Sequence, residues 1–384
     1  MVDAAGLPPL SLYVHFPWCI KKCPYCDFNS HAARTGEFPE RAYVVALKRD
    51  LEQELVFVQG RKLESIFFGG GTPSLMSGHM AEELICHAEK LIGFGENIEI
   101  TLEANPGTAE QKRFKDYQQA GINRISLGAQ SFDNGQLEKL GRIHRVDETL
   151  RAVDMLRQAN IDNFNLDLMF ALPGQTLAEA MKDLQQAIDL VPPHLSWYQL
   201  TLEPNTVFYR EKPVLPDDDA QFEILQAGRE LLQKSGYVQY ETSAFSKAGK
   251  QCKHNRNYWE FGDYLGIGAG AHGKITSMKQ GCLTICRRQK TRVPEHYLQS
   301  VNPCSNDQII DERDLPCEFS MNALRLTTGV PRHFFTDRTG LPWSQMDMIN
   351  NDLINQGLLQ ADPAQFATTP RGALMLNSVL ERFL

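Results

Sequence analysis

The sequence lacks any apolar run approaching the ~18 residues that a membrane-spanning helix needs, so no transmembrane segment is expected. Its first residues lack a basic stretch followed by an apolar core, so no secretory signal peptide is expected either. Positive charge is in deficit. Lys and Arg number 39 against 47 Asp and Glu, and the net charge is −8. Such a chain has no bulk electrostatic attraction to nucleic acid. The 9 cysteines follow no regular disulfide framework, and no low-complexity tract or short repeat interrupts the chain. These absences place the protein in a reducing compartment, with the cytoplasm as the default. A length of 384 residues predicts one large domain plus a smaller one.

What is present is an alternation of short apolar runs with helix-length segments. Leu10–Phe16, Leu63–Phe68, Ile98–Glu103, Arg124–Leu127, Phe164–Met169 and Leu195–Leu202 read as strands, and the amphipathic stretch Arg41–Val58 reads as a helix. Runs rich in β-branched and aromatic residues, separated in this way, argue for βα units around a parallel sheet.

The first strand leads directly into Trp18-Cys19-Ile20-Lys21-Lys22-Cys23-Pro24-Tyr25-Cys26. The spacing C-x3-C-x2-C puts three thiols in one short loop. Tetrahedral structural zinc takes four protein ligands, usually from two separated C-x2-C pairs. Three close thiolates suit an iron–sulfur cubane with one iron free of protein sulfur, which can bind a small molecule directly. Three buried thiols or an incomplete zinc site are the bland alternative.

This loop resembles the signature of the radical S-adenosylmethionine (SAM) superfamily. The resemblance implies that Cys19, Cys23 and Cys26 ligate a 4Fe-4S cluster whose open iron takes the amino and carboxylate groups of SAM. Electron transfer into the sulfonium would then give a 5′-deoxyadenosyl radical. Six βα units would make an incomplete, three-quarter barrel like that of the superfamily. Tyr25 stands where the family carries an aromatic near the adenine.

Polar residues cluster at the expected strand ends, where barrels of this kind gather their active sites. Gly69-Gly70-Gly71-Thr72-Pro73 follows the second strand, and adjacent glycines let backbone approach a ligand closely. Glu103 closes the third strand, Gln130 follows the fourth, Arg142 lies beyond it, and Asp167 sits in the fifth. Carboxylates can accept from ribose hydroxyls, and an Arg can pair with a ligand carboxylate. Taken singly, each reads as a helix cap or a surface pair. Together with Tyr13, the positions Gly70, Gly71, Thr72, Glu103, Gln130, Arg142 and Asp167 resemble the SAM contacts of the coproporphyrinogen-oxidase branch.

Within that branch, His254-Asn255-Arg256-Asn257-Tyr258-Trp259 matches the HNxxYW motif of the haem chaperone family. The resemblance implies a protein that holds haem and delivers it to haem-acceptor proteins, respiratory and membrane-associated ones among them. Imidazole is a common haem ligand and aromatics can wall the macrocycle, so His254 is the candidate ligand, with Cys252 as an assisting thiolate. The plain alternative for His254 is a structural hydrogen bond in a half-buried loop. The competing function is oxygen-independent decarboxylation of coproporphyrinogen III. Two departures weigh against it. Phe28 stands where that oxidase has a further cysteine, and Cys19 comes too early to leave much room for its N-terminal extension.

Other features carry less. Cys282 and Cys286 have no third close thiol, and Cys86, Cys304 and Cys317 are scattered, so packing is expected of them. Arg287, Arg288, Lys290 and Arg292 could meet porphyrin propionates, though a solvated strand face is the commoner reading. Gly268-Ala269-Gly270-Ala271-His272-Gly273 satisfies G-x-G-x-x-G, but the strand-like Lys274-Ile275-Thr276 follows it, so a close backbone crossing is expected instead of a dinucleotide site. Val301–Asp307 reads as a linker. Helices are expected over Leu315–Leu326, Trp343–Gln356 and Gly372–Phe383, with a small hairpin before the last. The implied division is a partial barrel over 1–240, a connecting segment over 241–305, and a helical, winged-helix-like domain over 306–384.

Overall fold

The computed structural model describes residues 6–33, 38–107, 113–279 and 282–384, without the side chains of Lys279 and Cys282. Six strands run in parallel in chain order: β1 (Leu10–Phe16), β2 (Leu63–Gly70), β3 (Phe94–Ala104), β4 (Arg124–Gln130), β5 (Phe164–Phe170) and β6 (His194–Gln199). Helices α1 (Glu40–Glu54), α2 (Gly78–Ile92), α3 (Val146–Gln158), α4 (Leu177–Asp189) and α5 (Asp218–Lys234) lie between or after them. β1 and β5 are largely buried on both faces, yet each alternates: Ser11, Tyr13 and His15 interleave with Leu10, Leu12, Val14 and Phe16, and Asn165 and Asp167 with Phe164, Leu166 and Leu168. Side-chain caps mark the helix starts. The Ser77 hydroxyl accepts from Met80 N, and Thr176 and Glu179 cap each other reciprocally at α4.

The expected strands are present, with β1 spanning the predicted residues. The sheet, however, extends well past them. Strands β7 (Val238–Glu241) and β8 (Ala244–Ser246) add antiparallel beyond β6. On the other side β9 (Asp263–Ile267) pairs parallel with β1, and β10 (His272–Lys279), β11 (Cys282–Lys290) and β12 (Cys304–Ile309) continue antiparallel from it. The full order is β12-β11-β10-β9-β1-β2-β3-β4-β5-β6-β8-β7, a twelve-stranded sheet with two free ends. It is a partial barrel, not a closed one.

The segment read as connecting therefore supplies four strands of the sheet. Its linker residues include the start of β12, an edge strand whose residues are mostly exposed. An exposed edge carries no alternation of apolar and polar residues, so periodicity could not reveal it. The G-x-G-x-x-G stretch is the turn into β10. Gly268 has φ +104°, and an added Cβ there would stand 2.3 Å from the His15 carbonyl oxygen. That close crossing, with a strand after it, matches the expectation.

Beyond Ile309 a second core forms around Phe319, Phe335, Phe366 and Phe383. The predicted helices appear in shortened form as Leu315–Ala323, Asp347–Asn355 and the pair Pro370–Leu374 and Leu376–Leu380. The helix His333–Thr339 was not anticipated. The hairpin survives as one antiparallel bridge, Leu359 to Thr368, while Gln365–Phe366 pairs with Val330–Pro331.

A buried charge network holds the seam between β1 and β9. Asp263, fully buried, accepts from Arg61 Nη1 at 2.7 Å, Lys274 Nζ at 2.9 Å, and Thr276 N and Oγ1, both at 2.8 Å. Burial alone would raise its pKa, but Lys274 and Arg61 outweigh it and hold the carboxyl below its ordinary range. Removing one partner of such a network leaves the others buried and uncompensated. Asp263→Ala should cost about 3–5 kcal/mol in stability, read as a lowered denaturant midpoint. A change under about 1 kcal/mol would mean that water replaces the carboxylate there.

Candidate functional site

After Phe16 the chain turns through Pro17 into Trp18–Cys19, which pairs with His31–Ala32 and so closes a loop holding the three cysteines. Lys22 Nζ ties that loop to the Phe28 and Ser30 carbonyls at 2.9 and 3.2 Å. The end of β2 pins it from outside: Gly71 N donates to Phe16 O at 2.6 Å and Thr72 N to Trp18 O at 2.8 Å. Only glycines permit this approach. Gly70 has φ +117°, and a Cβ on Gly71 would stand 2.5 Å from the Trp18 carbonyl oxygen.

The three thiols face one cavity of about 300 Å³ at the C-terminal ends of the strands, bounded also by Tyr25, Gly70, Gly71 and Thr72. Cys26 Sγ lies 3.6 Å from Ser30 Oγ, and Arg142 Nη1 donates toward Cys23 Sγ at 3.6 Å. Burial raises the Cys19 thiol, opposed by hydrogen bonds from Thr72 and Ser30. Among the described residues, no three His, Cys, Asp or Glu side chains converge as ligands of a single ion. Three thiols sharing one cavity, with hydroxyl and guanidinium donors beside the sulfurs, fit a multinuclear cluster better than one zinc.

Glu103, Gln130, Arg142 and Asp167 line the same cavity. Glu103 Oε2 accepts from Gly70 N at 3.2 Å. Burial, and then the charge of Asp167, push its carboxyl up to about 8. Asp167 accepts from Ser126 Oγ at 2.9 Å and Asn165 Nδ2 at 2.8 Å, yet burial still raises it. Two half-buried carboxyls lining one cavity fit a positively charged ligand, as a sulfonium with an ammonium group would be. Arg142 Nη2 donates to Gly128 O at 3.0 Å and also to the Asn105 side chain. Gln130 is held at φ +66°, its Oε1 accepting from Tyr198 OH at 2.8 Å. Non-glycine residues rarely adopt this conformation, and it is found preferentially at binding sites.

Eight of the nine sequence-derived SAM candidates thus meet at this cavity with the three thiols. Tyr13 is the exception, since it lines two adjoining cavities instead. Its hydroxyl bonds His15 Nδ1 at 3.0 Å, and His15 Nε2 bonds Asn29 O at 2.9 Å. Sequence reasoning missed Asn105, Ser126 and Tyr198 as lining residues. Asn105 follows Glu103 at the end of β3 and could have been found from that position. Ser126 and Tyr198 lie inside strands, where only the pleat decides which side chains face the barrel interior.

The HNxxYW segment forms the short helix α6 (Lys253–Trp259), packed against β2. His254 is 1% exposed. Its Nδ1 bonds Ser65 Oγ and its Nε2 bonds Tyr258 OH, both at 2.8 Å. Burial, with Arg124 adding to it, pushes the imidazole down to about 3. The ring borders a cavity of only about 220 Å³ inside the barrel. Both nitrogens are therefore committed, and metal ligation by His254 requires one of these bonds to open. Cys252 does not act as a thiolate here: it is fully buried, and burial pushes its thiol up to about 12.

The basic run is mostly neither solvated nor free. Lys290 reaches Asp50 at 2.5 Å and Glu54 at 2.6 Å, Arg288 pairs with Asp307 and Glu54, and Arg287 pairs with Glu318. Arg292 alone lacks a side-chain ion pair among the described residues, and it lines the cavity of about 430 Å³ that borders Tyr13. Cys286 bonds Asp307. The side chain of Cys282 lies outside the described residues.

Comparison with known proteins gives two family matches: the Radical SAM superfamily over residues 13–187 and the HemN C-terminal domain over residues 310–375. "Heme chaperone HemW" of Haemophilus influenzae is 51% identical over 382 residues, covering 98% of each chain. Its namesake in Escherichia coli is 50% identical over 378 residues, covering 98% of this chain and 99% of that one. A mouse protein, "Radical S-adenosyl methionine domain-containing protein 1, mitochondrial", is 38% identical over 78% of this chain and 70% of its own length. Among solved structures, coproporphyrinogen III oxidase (HemN) from Escherichia coli superposes with a TM-score of 0.81, covering 100% of this chain and 91% of that one. At 22% identity that likeness speaks for the fold alone.

Two outcomes follow from the site. Gly71→Ala should displace the cysteine loop and lower the iron and sulfide bound after anaerobic reconstitution, while full incorporation would show that the loop shifts freely. Glu103 keeps its proton in the folded state up to about pH 8, against an ordinary value of 4.5. Between those values the unfolded chain binds fewer protons there than the folded one, so stability falls as pH rises. Melting temperatures of ligand-free Glu103→Gln should fall less steeply across that range than those of the wild type. Equal slopes would place the titration elsewhere.

Proposed function

The chain belongs to the HemW haem-chaperone family of the radical SAM superfamily, and from that we propose that it binds a 4Fe-4S cluster and SAM, holds haem, and passes it to acceptor proteins. The observation that carries this reading is a pair of adjoining cavities sharing Gly70, Phe28 and Glu103. One holds the three thiols. The other is walled by aromatic rings and opens beside the first, as a place to hold cargo next to a cofactor site.

In this reading the thiolates of Cys19, Cys23 and Cys26 hold the cluster. When bound, the cluster leaves one iron open to the amino and carboxylate groups of SAM. Gly70, Gly71 and Thr72 offer backbone groups to the amino end. Glu103 and Asp167 accept from ribose hydroxyls and balance the positive charge of the ligand. Arg142 pairs with its carboxylate, while Tyr25 and Gln130 bound the adenine side. Tyr13 acts from behind through His15. The aromatic second core beyond Ile309 serves as a structural or partner-docking unit, and the net charge of −8 makes nucleic acid a poor partner for it. No helix among the described residues is long and apolar enough to cross a membrane. The cytoplasm is the compartment proposed, because thiolate-held clusters need reducing conditions.

Anaerobically reconstituted protein, given SAM, reductant and coproporphyrinogen III, should release no protoporphyrinogen. The same protein preloaded with haem should pass it to a haem-free acceptor, followed by the acceptor's absorbance. Multiple turnovers of porphyrin product would make it a decarboxylase instead.

A further inference from the structure

The cavity of about 430 Å³ beside the cluster site lies within the size range of small-molecule sites. Its side chains differ sharply in whether they are free to bind anything. The Tyr13 hydroxyl and both nitrogens of His15 are bonded to each other or to Asn29 O. The Tyr258 hydroxyl is held by His254, and Tyr264 is bonded by Arg287. His272 is different. It opens β10, it is exposed to the cavity, and its imidazole makes no hydrogen bond or ion pair to any described residue. Burial, and then Arg287 and Arg292, lower its pKa, which keeps the ring in the neutral form that metals take.

The surroundings suit a flat, apolar, doubly anionic molecule. Tyr258 and Tyr264 meet edge to face with centroids 4.4 Å apart. Phe28 offers a large apolar face that is 60% exposed. Arg292 is the one cation of the basic run left without a carboxylate partner among the described residues. Building on the haem-chaperone reading, we propose that haem docks in this cavity with the His272 imidazole as axial ligand and Arg292 paired to a propionate. The HNxxYW motif then acts at one remove. His254 is a positioning residue that fixes the Tyr258 ring in the cavity wall, with Ser65 anchoring its other nitrogen.

The test is an anaerobic haemin titration of the cluster-loaded wild type and of H272A, H272Q, H254A and R292A, followed by Soret absorbance and EPR. Cluster absorbance in each variant controls for folding. Wild-type protein should give a histidine-ligated spectrum. Both His272 variants should lose it, and added imidazole should restore it to H272A. H254A should keep the histidine signature with weaker binding, and R292A should bind a few-fold more weakly with an unchanged spectrum. A wild-type spectrum in H272A and H272Q would overturn the assignment while leaving the chaperone reading intact. So would loss of the histidine signature in H254A with its rescue by imidazole, which would return the ligand role to His254. Failure of the wild type itself to bind haem would overturn the chaperone reading, and this proposal with it.

Discussion

Two backbone hydrogen bonds, from Gly71 to the Phe16 carbonyl and from Thr72 to the Trp18 carbonyl, anchor the site to the sheet. They bring the end of β2 against the start of the cysteine loop so closely that a single methyl group would not fit. The loop has little regular structure of its own, only the two-residue pairing of Trp18–Cys19 with His31–Ala32. Its order comes from being laid across the glycine turn. From that junction the remaining geometry follows. Gly70 N reaches Glu103, Thr72 Oγ1 accepts from Asn105, and Asn105 in turn accepts from Arg142, which reaches Cys23. A chain of polar contacts thus links the ends of β2 and β3, through Arg142, to one sulfur.

A second constraint acts at the edge of β1. A barrel left open beside its first strand would expose unpaired backbone and invite association with other chains. Here β9 pairs with β1, and three antiparallel strands continue outward. Buried ions fasten this extension: Asp263 against Arg61 and Lys274 on one side, and Asp50 and Glu54 against Lys290 on the other. Asp50 also accepts from Gly268 N and Tyr297 OH, so the turn leading into His272 is fixed by the same network. Buried ion pairs are weak evidence of net stability, and what these do is tie β9, β10 and β11 to α1 and to the chain just before β2. Placing β9 against β1, and β10 against β9, also brings Tyr264 and His272 beside Tyr13 and His15 in the second cavity.

The HNxxYW motif illustrates how a motif and a contact can differ. Its histidine looks toward the barrel interior, wedged between Ser65, Phe67 and Tyr258, while its tyrosine reaches the neighbouring cavity. A residue type suited to metal binding need not touch a metal. Here both imidazole nitrogens of the motif are bonded, whereas the His272 imidazole has no hydrogen bond among the described residues.

The amino-acid sequence alone determined the cluster loop, the six parallel strands and the positions of most cavity residues. Each of these rests on local spacing: three cysteines within eight residues, apolar runs of strand length, and polar residues at the points where those runs end. What only the tertiary structure decided depends on partners far apart in the chain. Lys290 reads as surface charge until Asp50 and Glu54 arrive from α1 to bury it. His254 reads as a free ligand until Ser65 takes one nitrogen and Tyr258 the other, and His272 reads as part of a glycine motif until the fold leaves its imidazole without a hydrogen bond among the described residues. The edge strand Cys304–Ile309 is held by backbone pairing with β11, which leaves no trace in side-chain pattern. Spacing is written along the chain, whereas the availability of a side chain is a property of whatever folds against it.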